Sequence, residues 1–299
     1  MIPAAFDYVV PSSLDEAVAL LRQHDGEAKV LSGGQSLIPM LKLRLAAPAV
    51  LIDINGIRGL DFLEERDGSL HIGALTREAA LEKSQVVRER YPILLDTARV
   101  IADPLVRNSA TICGNVAHGD PGNDHPATMM ALDASFVLRG PDGTRTVAAR
   151  DFFRGLFETA LAQDEIISEV TIPQPNPRTG GAYLKLERKV GDFATAGVAV
   201  QLTLDARGAC ANVGIALTNV GATPILASKA MSSLLGKAVD DKTIADASVA
   251  AAAAADPNAD RRGSADYKRD VVRVLTARAI RIASARALGL EQAATQGRH

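Results

Sequence analysis

Prolines stand at every second position of Pro173-Gln174-Pro175-Asn176-Pro177. Each fixes φ near about −65° and lacks an N–H, so the run forbids both a helix interior and a central strand. The chain must therefore break there, and we read the run as a linker between an N-terminal and a C-terminal part. With 299 residues the chain is long enough for two domains with sizeable cores.

Before the linker, Leu14, Ala17, Val18, Leu20 and Leu21 recur at helical spacing behind Ser12 and Ser13, either of which can cap the first turn. Lys29–Leu31 and Val50–Ile54 read as apolar strands flanking a helix over Ile38–Leu45, a βαβ-like unit. Ser69–Ala74 reads as strand and turn, and helices are expected from Thr76 to Ile101. Ser135–Leu138 and Arg145–Val147 form a hairpin through Pro141-Asp142-Gly143, with Asp-Gly as the turn signal. Asp151–Phe157 and Glu165–Ile172 complete a second α+β unit.

After the linker, Ala182–Leu186, Ala196–Leu204 and Ala211–Leu217 are expected as three antiparallel strands. Helices follow over 224–235, 240–255 and 267–288. The alanine-rich run at 249–255 fits a packed helix, because alanine has the highest helix propensity.

Two loops stand out. Lys29–Leu31 ends in Ser32-Gly33-Gly34-Gln35-Ser36, where two glycines let backbone approach a ligand closely. Alone this is an ordinary strand-to-helix turn, and it fits neither dinucleotide nor Walker spacing. Ser109–Asn115 is the second, followed at once by Gly119-Asp120-Pro121-Gly122-Asn123-Asp124. Backbone N–H groups, the Thr111 hydroxyl and the Asn115 amide, free of bulky neighbours, are what a phosphate oxygen needs from a neutral site. A helix opening near Pro126 adds partial positive charge.

Paired, Ser32–Leu37 and Thr111-Ile112-Cys113-Gly114-Asn115 resemble the two FAD pyrophosphate loops of the medium subunits of molybdenum hydroxylases, the xanthine dehydrogenase family. Within that family the Gly119–Asp124 run and Arg188-Lys189-Val190-Gly191-Asp192-Phe193-Ala194-Thr195-Ala196 are most similar to the medium chains of aerobic carbon monoxide dehydrogenases. The resemblance implies an α+β fold. It consists of a two-part FAD-binding domain of the PCMH/vanillyl-alcohol-oxidase-like type over 1–173 (parts about 1–56 and 57–173), then a C-terminal domain over 178–290 with a three-stranded antiparallel sheet and a helical bundle. Residues 291–299 are expected as a flexible tail.

The resemblance assigns FAD contacts to Ser32, Gly33, Gly34, Gln35, Ser36, Ala102, Thr111, Ile112, Cys113, Gly114, Asn115, Asp124, Leu161, Lys185 and Phe193. Asp124 is expected at the adenosine ribose. Lys185 is expected as a cation near flavin N1 and C2=O, where reduced flavin carries negative charge. Phe193 is expected against the isoalloxazine, with the protein core as its other reading. Gln35 stands where relatives often have His, and keeps donor and acceptor capacity without a charge. Cys113 stands where Gly is common; a need for positive φ would make it costly, a need for small size would not.

Only Cys113 and Cys210 are present, too few for an iron–sulfur cluster. The resemblance accordingly places a molybdenum cofactor on a large partner subunit and two 2Fe–2S clusters on a small one, in a dimer of heterotrimers. This chain would be the FAD-dependent oxidoreductase subunit that passes electrons to an acceptor such as quinone, with no catalytic acid–base pair of its own. Carbon monoxide is the expected substrate of the whole enzyme. The alternatives are a nicotine, caffeine or quinoline-type hydroxylase, a self-sufficient FAD oxidase, and a non-enzymatic nucleotide-binding assembly module. His118 and His125 lie in a polar run without metal-site spacing, so no metal is expected on this chain. The net charge of −2, with charges interspersed, points away from nucleic acid and from a polybasic membrane patch. No apolar run reaches spanning length and the N-terminus lacks a signal-peptide pattern, so a cytoplasmic location is expected.

Overall fold

A computed structural model describes residues 2–290 of the chain; the expected tail at 291–299 lies outside the described residues. In order, the chain forms β1 (Asp7–Val9), α1 (Leu14–Gln23), β2 (Ala28–Leu31), α2 (Leu37–Leu43), β3 (Val50–Asp53), β4 (Leu63–Arg66), β5 (Ser69–Gly73) and α3 (Glu78–Lys83). Then come α4 (Gln85–Arg90), α5 (Pro92–Val100), α6 (Pro104–Arg107), α7 (Ile112–His118), α8 (Asp124–Ala131), β6 (Ser135–Gly140), β7 (Gly143–Ala148) and α9 (Ala149–Phe152). The remainder is β8 (Phe153–Gly155), β9 (Glu158–Thr159), β10 (Ile166–Pro173), β11 (Thr179–Leu186), β12 (Ala196–Leu204), β13 (Cys210–Thr218), β14 (Ile225–Leu226), α10 (Ser228–Leu234), α11 (Asp241–Ala254) and α12 (Ala265–Ala287).

Two compact units emerge. One holds residues up to 80, 103–119 and 134–173, and the other holds 81–102, 120–133 and those from 174 onward. The chain changes unit at Pro173, as the prolines require, but also earlier: α5 packs on β11 and α8 on β13, which draws both helices into the second unit.

In the first unit, β1, β3 and β2 form a parallel sheet, with β2-α2-β3 as the expected βαβ element. Ser13 Oγ caps α1 by accepting from Glu16 N at 3.1 Å. Ala17, Val18 and Leu21 of α1 share a core with Val50 and Ile52. A second sheet runs antiparallel in the order β4-β5-β10-β6-β7. Its β6–β7 turn centres on Pro141-Asp142, with Gly143 already paired to Gly140. The turn with two left-handed residues is instead Asp67-Gly68, at φ 50° and 73°, joining β4 to β5 in the manner favoured by two-residue hairpins.

In the second unit, β11-β12-β13-β14 is an antiparallel sheet. Its fourth strand, Ile225–Leu226, corrects the expected three-stranded sheet and delays the next helix to Ser228. Two residues after a proline carry no period, and main-chain pairing to β13 decides their state. Helix α12 lays Val272, Leu275, Ala279, Ile280 and Ala283 into the core. Gly180 of β11 admits its close approach, since a Cβ there would meet Ala287 N at 2.5 Å and come closer still to Ala283 O.

Candidate functional site

The first unit brings the two glycine-containing loops together. Ser32 Oγ lies 3.2 Å from Thr111 Oγ1, although 79 residues separate them. Asn55 Nδ2 donates to Ser32 O at 2.9 Å. The Arg77 guanidinium donates to Ser109 O and to Asn55 Oδ1, both at 2.6 Å, tying the second loop to the residue that holds the first. Gly33 is required by this approach: a Cβ would sit 2.9 Å from Ala110 Cα, 3.0 Å from Thr111 N and closer still to Ser109 O. Gly34 adopts φ 72°, a left-handed turn that glycine takes without strain.

The donors that result are neutral. No hydrogen bond among the described residues takes the N–H groups of Gly33, Gly34, Gln35, Ser36 or Cys113. Thr111 caps α7, its Oγ1 accepting from Gly114 N at 3.2 Å, a contact of a kind worth about 1 kcal/mol. Gly114 itself is exposed. Residues 32–36 and 111–115 contain no carboxylate, so the donor set suits an anion such as a pyrophosphate.

Cys113 lies inside α7 rather than at positive φ, so only size matters at that position. Its thiol is buried and faces Gly73 O at 3.8 Å. Burial, aided by the charges of Glu169 and Glu78, raises its pKa far above the ordinary thiol range, which keeps it neutral. The Gln35 amide folds back to Gly33 O at 3.5 Å, while Asn115 follows one turn into α7, its N–H on Thr111 O at 2.9 Å. Leu161 lies just beyond β9, which packs on α7, and its N–H is taken by Thr159 Oγ1 at 3.3 Å.

A second cluster is built within the second unit. Asp124, at the start of α8, accepts from Tyr183 Oη at 2.6 Å on one oxygen and from Lys185 Nζ at 3.0 Å on the other. Tyr183 Oη lies 3.1 Å from Thr218 Oγ1. Lys185, whose side chain is 2 % exposed, also donates to Asp192 O at 3.0 Å and pairs with Glu187 at 3.3 Å. Burial raises the Asp124 carboxyl against the pull of Lys185 and Tyr183, and burial with the Asp124 charge raises the Tyr183 phenol well above its usual range.

The residues expected at the adenosine ribose and at flavin N1 thus form one direct ion pair, and one carbonyl and two carboxylates surround the Lys185 ammonium.

The loop joining β11 to β12 extends from the cluster. Gly191, at φ 79°, packs on Ala102, which is itself left-handed at φ 44°, an uncommon state for a non-glycine residue. Phe193 is 50 % exposed, which excludes the core reading, and one edge of its ring lies beside Gly122, where a Cβ would come within 3.2 Å of it. The two runs that suggested a carbon monoxide dehydrogenase medium chain thus meet: Gly122 with Phe193, and Asp124 with Asp192 through Lys185. His118 stacks on Phe157 with ring centroids 5.2 Å apart, and His125 is buried in α8. No group of three His, Cys, Asp or Glu among the described residues is placed to hold a metal.

Asn55, Arg77, Tyr183 and Thr218 complete these clusters and were not singled out from the sequence. Tyr183 carried a signal in hindsight: it is the one large ring in Gly180-Gly181-Ala182-Tyr183, and Gly197, diagonal to it on β12, makes room for its hydroxyl.

Known proteins resemble this chain over nearly its whole length. Residues 4–175 match the FAD binding domain in molybdopterin dehydrogenase, and 181–283 match the CO dehydrogenase flavoprotein C-terminal domain. The carbon monoxide dehydrogenase medium chain of Hydrogenophaga pseudoflava is 47 % identical over 96 % of this chain and 99 % of its own. A solved structure of carbon monoxide dehydrogenase from that organism superposes with a TM-score of 0.93 at 48 % identity, over 96 % of this chain and 99 % of the matched one. Quinoline 2-oxidoreductase from Pseudomonas putida 86 superposes at 0.89 with 32 % identity, over 97 % and 99 %. The chain therefore belongs to the family of molybdopterin dehydrogenase flavoproteins, with an FAD-binding domain followed by a CO dehydrogenase flavoprotein C-terminal domain.

Proposed function

We propose that this chain is the FAD-carrying medium subunit of a molybdenum-containing dehydrogenase that oxidises carbon monoxide, with 1–173 as its FAD-binding domain and 178–290 as its C-terminal domain. The observation that carries the FAD reading is the convergence of Ser32–Ser36 with Thr111–Asn115, held by the Ser32–Thr111 contact and the Arg77–Asn55 brace. Backbone N–H groups of the two loops hold the pyrophosphate, with Leu161 as a further contact. Gly33 and Gly34 supply close approach and Gly114 an unobstructed helix end. Bound there, FAD would supply both one- and two-electron chemistry, which the side chains of this chain lack.

Phe193 covers one face of the flavin, and the strained Ala102 shapes the same part of the second unit. Asp124 and Lys185 act as a pair at one part of the cofactor, not at its two ends. Substrate oxidation belongs to a large molybdenum subunit. Electrons reach this chain through the 2Fe–2S clusters of a small subunit and leave for an external acceptor such as quinone, in a cytoplasmic dimer of heterotrimers. No helix among the described residues is long and apolar enough to cross a membrane. The greater identity to the carbon monoxide dehydrogenase medium chain, 47 %, than to quinoline 2-oxidoreductase, 32 %, favours carbon monoxide over a heteroaromatic substrate.

Purification of the chain with its native partners tests the proposal. One FAD per chain, iron and molybdenum with copper, and flavin bleaching by carbon monoxide only in the presence of the partners are expected. Bleaching of the isolated, metal-free chain by a substrate would make it a self-sufficient oxidase, and a complex without molybdenum would overturn the reading.

A further inference from the structure

Asp192, next to Phe193, gathers most of the bonds that hold the loop carrying the ring. Asp192 accepts from Arg188 Nε at 3.1 Å on one carboxylate oxygen, and on the other from Arg262 at 3.2 Å and from Phe193 N at 2.9 Å. Its carbonyl takes the buried Lys185 ammonium at 3.0 Å, and its own N–H closes a turn onto Lys189 O at 3.0 Å. Arg262 reaches it from the segment between α11 and α12, 70 residues away. The next residues are fixed from the other side: Asn219 holds Ala194 O through its amide and Pro121 O through its N–H, and Thr195 N bonds Leu186 O at 2.6 Å.

These contacts surround a ring that is itself half exposed. Gly122 touches one edge of Phe193 and an intraloop glycine, Gly191, precedes it at positive φ. An aromatic on a glycine-containing loop with so little packing of its own would sample several positions, and each would cost conformational entropy to order on a ligand. A carboxylate that binds both the N–H of the aromatic residue and two guanidinium groups removes that freedom beforehand. Charge-assisted bonds of this kind are the stronger sort.

We infer that Asp192 is a positioning residue that presents the Phe193 ring to the flavin, with Arg262 and Arg188 as the donors that hold it. This rests on the proposed placement of Phe193 against the isoalloxazine. Arg188 and Arg262 are the charged side chains that bind the Asp192 carboxylate, and their link to Phe193 runs through that carboxylate and the Phe193 N–H.

The test is a double-substitution cycle on the full chain, stripped of FAD and titrated with it, with visible circular dichroism of the bound flavin as second readout. Phe193→Ala should weaken FAD binding about two- to tenfold, the range of an aromatic pair converted to affinity, and change the flavin dichroism. Asp192→Ala should do the same, Asp192→Asn should stay near wild type because an amide oxygen can still accept, and Asp192→Ala combined with Phe193→Ala should add nothing further. Additive losses, or an unchanged flavin dichroism in Asp192→Ala when Phe193→Ala alters it, would overturn the inference alone. No effect of Phe193→Ala on either readout would overturn the flavin-face placement and the inference with it. Should Asp192→Ala not accumulate, Arg262→Met reads the same quantity: a smaller change in the same direction supports the inference, and no change refutes it.

Discussion

Replacing Gly33 by alanine adds one methyl group where the chain has no space. The nearest atoms are Ser109 O, Ala110 Cα at 2.9 Å and Thr111 N at 3.0 Å, all backbone, so no side chain can rotate away. Overpacking of this sort costs about 1–3 kcal/mol, and contacts with backbone place it in the upper half of that range. If the loops stay together, the cost appears as lost stability, about 2–4 °C in Tm per kcal/mol for a unit of this size. If they part, Ser32 and Thr111 separate, and FAD affinity falls about 10- to 100-fold at 1.4 kcal/mol per decade. Gly114→Ala is the informative control. A Cβ there meets only the Thr111 hydroxyl, at 2.8 Å, and alanine in a helix gains up to about 1 kcal/mol over glycine. Gly114→Ala should therefore keep the apo Tm while weakening FAD by filling space meant for phosphate, whereas Gly33→Ala lowers the apo Tm, the FAD affinity or both. Melting of the apo chain and FAD titration by fluorescence quenching measure both. A Gly33→Ala chain with unchanged Tm and unchanged Kd would refute the convergence of the loops.

Lys185→Met leaves Asp124 buried with Tyr183 as its remaining donor and should destabilise the chain by about 3–5 kcal/mol in denaturant unfolding, with Lys185→Met/Asp124→Asn recovering part of the loss. Neither thiol should react with Ellman's reagent at neutral pH until denaturant is added, since burial raises Cys113 far above the usual range and pushes Cys210 up to about 11. The Arg145 hydrogen bonds hold the Glu165 carboxyl below its ordinary value, so its contribution is present above the unfolded pKa and is lost as pH falls through the folded one. Thermal melts of Glu165→Gln should accordingly lie below wild type at pH 7 and converge with it in acid; a gap that persists at low pH would refute the ion-pair account.

Local patterns were legible where period and length agree: the helices at 14–23, 241–254 and 265–287 and the strands β11 to β13 stand close to where the sequence puts them. Strands β1, β4 and β14 were not, because segments of two to four residues with exposed or irregular faces show no alternation, and their state is fixed by pairing partners far along the chain. Turn chemistry misled at Asp142-Gly143, where the neighbouring Pro141 moved the turn centre one residue earlier, and passed unnoticed at Asp67-Gly68. The two glycine-containing loops were legible through glycine and small polar residues. Their braces were not, since Asn55 and Arg77 look like any surface residues until Ser32 and Ser109 are side by side. Likewise a lysine and an aspartate 61 residues apart give no hint of sharing one ion pair.

The most direct test of the central claim is competition among nucleotides for the FAD-free chain. The two-loop cradle recognises a pyrophosphate, so FAD should bind at one per chain and be released by acid, ADP should compete with it, and FMN, which has a single phosphate, should not. FMN binding as tightly as FAD, or FAD binding that ADP leaves untouched, would contradict the account.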